Sequence, residues 1–412
     1  MAKSKEQEMR DIMDSIDEIN PYATYLNEST LSNVTEWIDT GSLVLNAQIS
    51  GSLYGGIPDG RIVQFAGASQ TGKSFFVQKI IANAQKAGKT VVIFDSENAI
   101  DQESAKGFGI DTTKIKYVPA LTVENTRNAI KKFLTKVKEA GADGKFLIVI
   151  DSIGNLESDL GEKRMDDDNN AQDMGSLAKA IKSLLKTCTN WGRLTRTPIV
   201  ITNHIFDNPA EMFPSAEKNM AGGKGAVYLP SVTLQLARKA AKDDGGKTID
   251  ADLAASQKSF SGVIIRSLSI KNRFTKQYIE VETYLSFSRG LDRYYGLLEI
   301  MKGMGVVQST GTTYIDWNGK KLGFFKSWRK DVKLWEEHLL PELENRIKLH
   351  WRYGNKIGEE LTDDELDSED DDTKDVEVLG EEVEEKPLDK LKKLKQKVTD
   401  TLDEIEEVPE EV

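Results

Sequence analysis

Eight consecutive residues, Gly67-Ala68-Ser69-Gln70-Thr71-Gly72-Lys73-Ser74, have the types and spacing of a phosphate-binding loop. Glycines that lead into a helix expose backbone N–H groups with no intrahelical partner, and these wrap a polyphosphate. Lys73 is then placed to reach the β and γ phosphates, and the Ser74 hydroxyl to hold Mg²⁺. Asp151 ends an apolar run about 80 residues later, where a carboxylate holds Mg²⁺ directly or through water. Asp95-Ser96-Glu97 and Thr202-Asn203-His204 end two further runs of the same kind. Glu97 is the candidate for orienting and deprotonating water, and His204 for sensing the γ-phosphate, although a lone histidine is often only a satisfied structural one. Asp101 joins the loop as a nucleotide-binding candidate. Lys271 and Arg273 lie one residue apart at a strand end and so point the same way, toward an anion. Spacing does not say whether that anion belongs to the same molecule or a neighbour.

The elements that must position these groups are legible as runs. Arg61 to Ala66 reads as a strand entering the loop, and Phe76, Val77, Ile80, Ile81 and Ala84 recur at helical spacing behind it. Thr90 to Phe94, Phe146 to Ile150 and Pro198 to Thr202 are unbroken, largely β-branched runs, the pattern of strands buried on both faces, with helical stretches at Glu124 to Ala140 and Leu177 to Trp191. The expected fold is α/β, a doubly wound and mostly parallel sheet. Val232 to Leu236, Val263 to Ile270 and Tyr278 to Phe287 alternate apolar and polar and read as antiparallel additions. Long connections, Leu156 to Met174 and Ile205 to Gly225, follow two of the strands and read as functional loops or mobile lids. The second carries Phe206, Met212, Phe213, Met220, Gly222, Gly223 and Lys224, a mixture suited to holding a single nucleic-acid strand by its backbone while apolar wedges enter the base stack. The first carries Lys163-Arg164-Met165 followed by three aspartates.

The chain has 412 residues and a net charge of −12. The charge is unevenly placed: residues 359–412 hold 24 Asp and Glu against 7 Lys, net −17, leaving 48 Lys and Arg against 43 Asp and Glu, net +5, in residues 1–358. Overall acidity is therefore no argument against a polyanionic partner. One cysteine excludes an internal disulfide, and with three scattered histidines it makes no structural zinc site. No apolar run approaches the roughly 20 residues of a membrane span and the first residues are polar, so a soluble, cytoplasmic protein without membrane partners is expected.

Four segments follow. Residues 1–39 form an N-terminal helical arm whose thin strip of Met9, Ile12, Met13, Ile16 and Ile19 needs a partner surface, on its own domain or on a neighbouring protomer. Residues 40–290 form the nucleotide-binding core. Residues 291–357 form a small α+β C-terminal domain. It has a helix through Leu297 to Met301, a hairpin from Thr312 to Phe325 turning at Asn318-Gly319 with positive φ angles, and a helix from Ser327 to Leu349 broken at Pro341. Residues 358–412 form an acidic tail, disordered over Glu359 to Glu385, with a possible short helix from Leu388 to Ile405.

Set in order, Thr40-Gly41-Ser42, Gly55 to Arg61, the phosphate loop, Ala87 to Thr90, Phe94 to Glu97, Asp151-Ser152, Asn203-His204, Gly222-Gly223 and Lys271 to Arg273 resemble the RecA-type recombinases over about residues 39–346. His204, where bacterial members have glutamine, is similar to the phage branch. The resemblance implies a RecA-like ATPase core using ATP and Mg²⁺, with Glu97 activating water, His204 sensing the γ-phosphate, and Lys271 and Arg273 reaching the next protomer's ATP, satisfied only when that phosphate is present. It implies that both long connections bind DNA, with Met174, Phe213, Gly222 and Gly223 at matching positions; Lys163, Arg164, Phe206, Met212 and Lys224, read from the composition of the same connections, complete the DNA-contact candidates. Implied partners are single-stranded DNA, homologous duplex, further copies in a helical filament, and mediator and single-strand-binding proteins. Ser104 stands where many relatives carry an adenine-stacking tyrosine, and the first long connection is slightly longer and more acidic than theirs. A ring-forming helicase, an ATP-gated single-strand-binding scaffold and a loader ATPase are the rival readings.

Overall fold

The computed structural model describes residues 4–29, 31–98, 100–166, 174–206, 218–243, 248–250 and 260–354, with the side chains of 163–166, 174, 240–243, 248–250 and 260 left aside. The described residues belong to one compact unit, Met1–Asn355. Helix α1 (Lys5–Asp14) opens on Ser4, whose hydroxyl accepts from Gln7 N at 3.2 Å. Met9, Ile12, Met13, Ile16 and Ile19 are all exposed, so the described part of the same protomer does not cover this strip. Strand β1 (Trp37–Ile38) then pairs antiparallel with β2 (Ile57–Pro58) around the fully buried helix α2 (Leu43–Ser50).

The central sheet contains β3 (Ile62–Gly67), β4 (Thr90–Asp95), β5 (Ile115–Pro119), β6 (Phe146–Asp151) and β7 (Ile199–Asn203). After the small ribbon β8 (Ile205–Phe206) and β9 (Asn219–Met220) it continues with β10 (Val232–Asp243), β11 (Thr248–Asp250), β12 (Phe260–Asn272), β13 (Glu280–Ser286) and β14 (Gly290–Leu291). The order is β14-β13-β12-β10-β3-β7-β6-β4-β5, with β11 on β10. Every pair from β10 to β5 is parallel, and β12, β13 and β14 are antiparallel, giving an α/β fold with a mixed, mostly parallel sheet. This corrects the expectation for Val232 to Leu236: that segment runs parallel to β3, in register from Val232 opposite Val63 to Leu236 opposite Gly67, and is antiparallel only to β12. Alternation shows that a strand has unlike faces; it carries no information on the direction of the neighbour.

Residues alternate between two cores because successive strand side chains point to opposite faces. Val63, Phe65, Val91, Ile93, Leu147, Val149 and Val200 pack under α3 (Lys73–Lys86) with Ala105 of α4 (Gln102–Gly107). Ile62, Val92, Phe94, Ile148, Ile150, Ile199 and Ile201 pack under α5 (Val123–Glu139) and α7 (Met174–Leu194). The expectation of loops is corrected in part. Leu156 to Met174 contains α6 (Asp159–Asp166), and Ile205 to Gly225 contains the ribbon and the start of α8 (Gly223–Tyr228).

The C-terminal elements are α9 (Leu297–Gly303), a three-stranded sheet β15 (Val307–Thr310), β16 (Thr313–Asp316) and β17 (Lys321–Gly323), α10 (Phe325–Trp328), a π-turn at Leu334–Leu339, and α11 (Leu340–Trp351) restarting around Pro341. Only Gly319 has positive φ in the β16–β17 turn, not Asn318. The Asp316 carboxylate instead shapes that turn, accepting from Asn318 N at 2.9 Å and Lys320 N at 2.8 Å. Trp328, Trp335, Leu339 and Leu343 share one apolar cluster with Leu43, Val44 and Ala47 of α2. The buried Glu344 fastens the same contact, accepting from Ser52 Oγ at 2.6 Å and Leu53 N at 2.7 Å. The tail expectations for residues 358–412 lie outside the described residues, which end at 354.

Candidate functional site

Strands β3, β4, β6 and β7 are parallel and adjacent, so their carboxyl ends form one edge, where open α/β sheets bind ligands. The loop after β3 turns through Gln70 at φ +63° and Gly72 at φ +84°, and delivers Lys73 as the first residue of α3. Thr71 Oγ1 donates to Ala68 O at 2.8 Å, while Lys73 Nζ lies back on the loop, donating to Gly67 O at 2.9 Å and Ala68 O at 3.0 Å. Burial pushes the Lys73 ammonium below its ordinary value, against the pull of the Glu97 and Asp151 carboxylates. Ser74 follows, half-buried, in the first turn of α3.

Next to the loop stand three carboxylates and a histidine. Asp95 and Asp151 are paired across β4 and β6. Asp95 Oδ1 accepts from Glu97 N at 2.8 Å and Asn98 N at 2.9 Å, and turns the chain so that Glu97 faces the edge. Asp151 accepts from Thr202 Oγ1, and its other oxygen, like Asp95 Oδ2, is buried without a hydrogen-bond partner. Two orphaned carboxylate oxygens side by side are costly unless a cation or water meets them. Burial pushes Asp151 up to about 6, eased by Thr202 and reinforced by Glu97 and Asp95. Glu97 Oε1 lies 2.7 Å from His204 Nε2 and accepts from Asn155 Nδ2 at 3.1 Å. His204 sits where β7 passes into β8, and its carbonyl accepts from Ala221 N at 3.4 Å beyond β9.

A group whose folded-state value lies above its ordinary one holds its proton more tightly when folded. Its stabilising effect is complete at pH below about 4 and is lost as pH rises through about 6. In metal-free protein, Asp151→Asn is therefore expected to raise stability at pH 8 by up to about 3 kcal/mol and to leave it unchanged at pH 4. Thermal unfolding at the two pH values checks this; a variant less stable at pH 8 contradicts it.

Lys271 and Arg273 do not behave alike. Lys271 Nζ donates to Tyr228 O and to Pro230 O, the latter at 2.7 Å, and so caps the end of α8. Burial, with Arg273 nearby, pushes Lys271 down to about 8. This corrects the expectation that both cations are satisfied only by a neighbour's phosphate: Lys271 is satisfied inside its own protomer. Arg273 is exposed, and its side chain has no partner among the described residues.

The RecA N-terminal domain family matches residues 20–292, about two thirds of the chain. The chain belongs to the RecA family. It is 25% identical over 333 residues to Protein RecA of Mycobacterium avium (79% of this chain, 86% of that one). It is 27% identical over 319 residues to Protein RecA of Streptomyces coelicolor (76% and 77%), and 26% identical over 327 residues to Protein RecA of Haemophilus ducreyi (76% and 78%). RecA-family membership implies a DNA-dependent ATPase at the level of the family. No helix among the described residues is long and apolar enough to cross a membrane.

Apart from Lys271 and Arg273, the site residues expected of this RecA-family chain fall into three groups. Gly67 to Ser74, Glu97, Asp151 and His204 converge on the strand edge. Asp101 caps α4, accepting from Glu103 N and Ser104 N at 2.8 Å each, and these backbone contacts hold its carboxyl below the usual range. Among the DNA-contact candidates, Phe206 is exposed on the ribbon, and Gly222, Gly223 and Lys224 begin α8. Lys163 and Arg164 lie on α6 and Met174 opens α7, their side chains outside the described residues, as are Met212 and Phe213 entirely. Sequence reasoning assigned no role to Asn155 or to the Thr202 hydroxyl. Asn155 carries no motif, but a hydroxyl residue next to the last of a buried strand, one position before Asn203, was a legible signal.

Gly222 has φ +86°, and a Cβ there would stand 2.7 Å from Ile181 Cγ2 on α7; at Gly223, φ +62°, a Cβ meets open space. Gly222→Ala should cost about 2 to 4 kcal/mol from the left-handed backbone plus overpacking, and Gly223→Ala about 1 to 2 kcal/mol from the backbone alone. Unfolding midpoints of the two variants test the order.

Proposed function

We propose that this RecA-family protein is a homologous recombinase, closest in kind to the phage recombinase UvsX. It forms an ATP-bound filament on single-stranded DNA, pairs it with homologous duplex and exchanges strands, in recombination, repair and recombination-dependent replication. The observation that carries the reading is the position of His204. Its ring meets Glu97 at the nucleotide edge, and its backbone starts the β8–β9 ribbon that closes the two ends of the second long connection. A γ-phosphate that draws the imidazole toward itself moves the root of that ribbon, so the nucleotide state is transmitted to Phe206, Gly222, Gly223 and Lys224.

In this reading the loop N–H groups and Lys73 take the phosphates, Lys73 exchanging the Gly67 and Ala68 carbonyls for phosphate oxygens. Ser74 and Asp151 fit Mg²⁺, which binds through one or two carboxylates plus phosphates and suits the orphaned oxygens of Asp151 and Asp95. When bound, such an ion would supply neutralisation of the phosphate charge, with Ser74 and Asp151 as the residues that would hold it. Glu97 takes the proton of the attacking water. Arg273, unpartnered among the described residues, is the readier cation for the adjoining protomer's γ-phosphate, and Lys271 joins it only by releasing Tyr228 and Pro230. The exposed Lys320, Lys321, Lys326, Arg329, Lys330 and Lys333 beside exposed Phe324 suit duplex DNA. The exposed strip of α1 suits a neighbouring protomer. Mediator and single-strand-binding proteins would act in the same compartment, the cytoplasm of an infected bacterial cell.

Negative-stain imaging on single-stranded DNA with a non-hydrolysable ATP analogue, and with ADP, tests the reading. Open helical filaments extended by the analogue and shortened or absent with ADP are expected. Closed rings would turn the assignment to a helicase, and salt-sensitive binding without filaments or strand exchange to a scaffold.

A further inference from the structure

We infer that Asn155 is the positioning residue for the hydrolytic carboxylate: its side-chain amide holds Glu97 in place when His204 turns to the γ-phosphate. The inference rests on the assignment of Glu97 as base and His204 as sensor made above. Asn155 Nδ2 and His204 Nε2 both meet Glu97 Oε1, and among the described residues nothing meets Oε2. The carboxylate is thus gripped by one oxygen and offers the other to water. An imidazole Nε2–H is a single donor. It cannot bond a phosphate oxygen and Glu97 Oε1 at full strength together, so sensing strips Glu97 of one of its two donors at the moment its aim matters. The Asn155 amide, which has no place in the phosphate contacts, is the donor that remains.

The chain is shaped to keep that amide there. Asn155 closes a single 3₁₀ turn, Ile153–Asn155, directly after β6. Ser96, the residue before Glu97, clamps the start of this turn, its Oγ donating to Ser152 O at 2.8 Å and accepting from Ser152 N at 3.0 Å. Ser152 Oγ in turn accepts from Gly154 N at 3.3 Å. Base and amide are therefore joined through backbone as well as through their own bond. Gly154 makes the third side: a Cβ there would lie 3.3 Å from His204 Cδ2 and 3.2 Å from Asn203 Oδ1. The missing side chain lets the imidazole lie against the turn. Asn155 itself is exposed at the mouth of the edge, so a substitution there empties no core.

Steady-state ATP hydrolysis on single-stranded DNA, with ATP affinity measured in parallel, tests the role. Asn155→Ala is expected to lower kcat about tenfold with KM for ATP changed less than about twofold, as for a group acting on the aim of a base and not on ground-state binding. Asn155→Asp keeps the shape but replaces the donor with a negative charge, and should be as slow as the alanine variant or slower. In a Glu97→Gln background the alanine change should cost nothing further, because the two residues act as a unit. Undiminished ATP affinity shows that each variant is folded. An alanine variant at wild-type kcat, an aspartate variant faster than the alanine one, or an undiminished tenfold loss on top of Glu97→Gln would each overturn the inference. Glu97→Gln turning over at the wild-type rate would instead remove the assignment of Glu97 on which it rests.

Discussion

Lys73→Ala is expected to reduce ATP turnover on single-stranded DNA about 10³-fold or more, to the limit of detection by phosphate release. Among the described residues the ammonium is the one cation placed inside the phosphate loop, 7% exposed and within 3.0 Å of two loop carbonyls. Removing a preorganised cation aimed at transferring phosphate costs about 10² to 10³ by itself, and lost positioning adds to it. The loss will not come from unfolding, because burial already works against the Lys73 charge in the free protein and an alanine at the start of α3 preserves helix propensity. An unfolding midpoint near that of the parent, together with turnover within tenfold of it, would remove the nucleotide site from this loop.

Arg273→Ala should have the next largest effect, about 10³-fold on DNA-stimulated hydrolysis, with nucleotide affinity of dilute protomers nearly unchanged. Full stimulation in that variant would place the trans cation elsewhere. Lys271 offers an internal comparison. Its ordinary value is lowered to about 8, so its charge is present below that pH and lost as pH rises through it. If Lys271 leaves Tyr228 and Pro230 to serve the adjoining site, DNA-stimulated kcat/KM for ATP, which reports the resting protein, falls as pH rises through about 8, and this fall is missing from Lys271→Ala. Arg273 stays charged throughout and contributes no such limb.

Much of this was readable in the chain alone. The three strands ending at Asp95, Asp151 and Asn203 are runs of branched apolar residues flanked by polar ones, and such runs have few alternatives to a doubly covered sheet. The phosphate loop was readable because backbone geometry, not a tertiary contact, makes it bind. What escaped depends on neighbours distant in sequence. Val232 to Leu236 takes its direction from β3, about 170 residues earlier, and nothing local encodes that pairing. Lys271 looked free because the carbonyls that engage it come from the end of α8, a segment with no motif. Asn155 was silent for the same reason: its meaning lies in Glu97, across a strand pair.

The alternation of strand residues between two cores has a further consequence for how such a chain diverges. Exchanging one branched apolar residue for another leaves each face intact, but losing or gaining a single residue within Ile199–Asn203 would reverse every side chain after it and carry His204 off the nucleotide edge. Length change is thus barred from the strands and diverted into the connections between them. A chain only about a quarter identical to its bacterial relatives can therefore keep its strand ends in step while its insertions and deletions accumulate elsewhere.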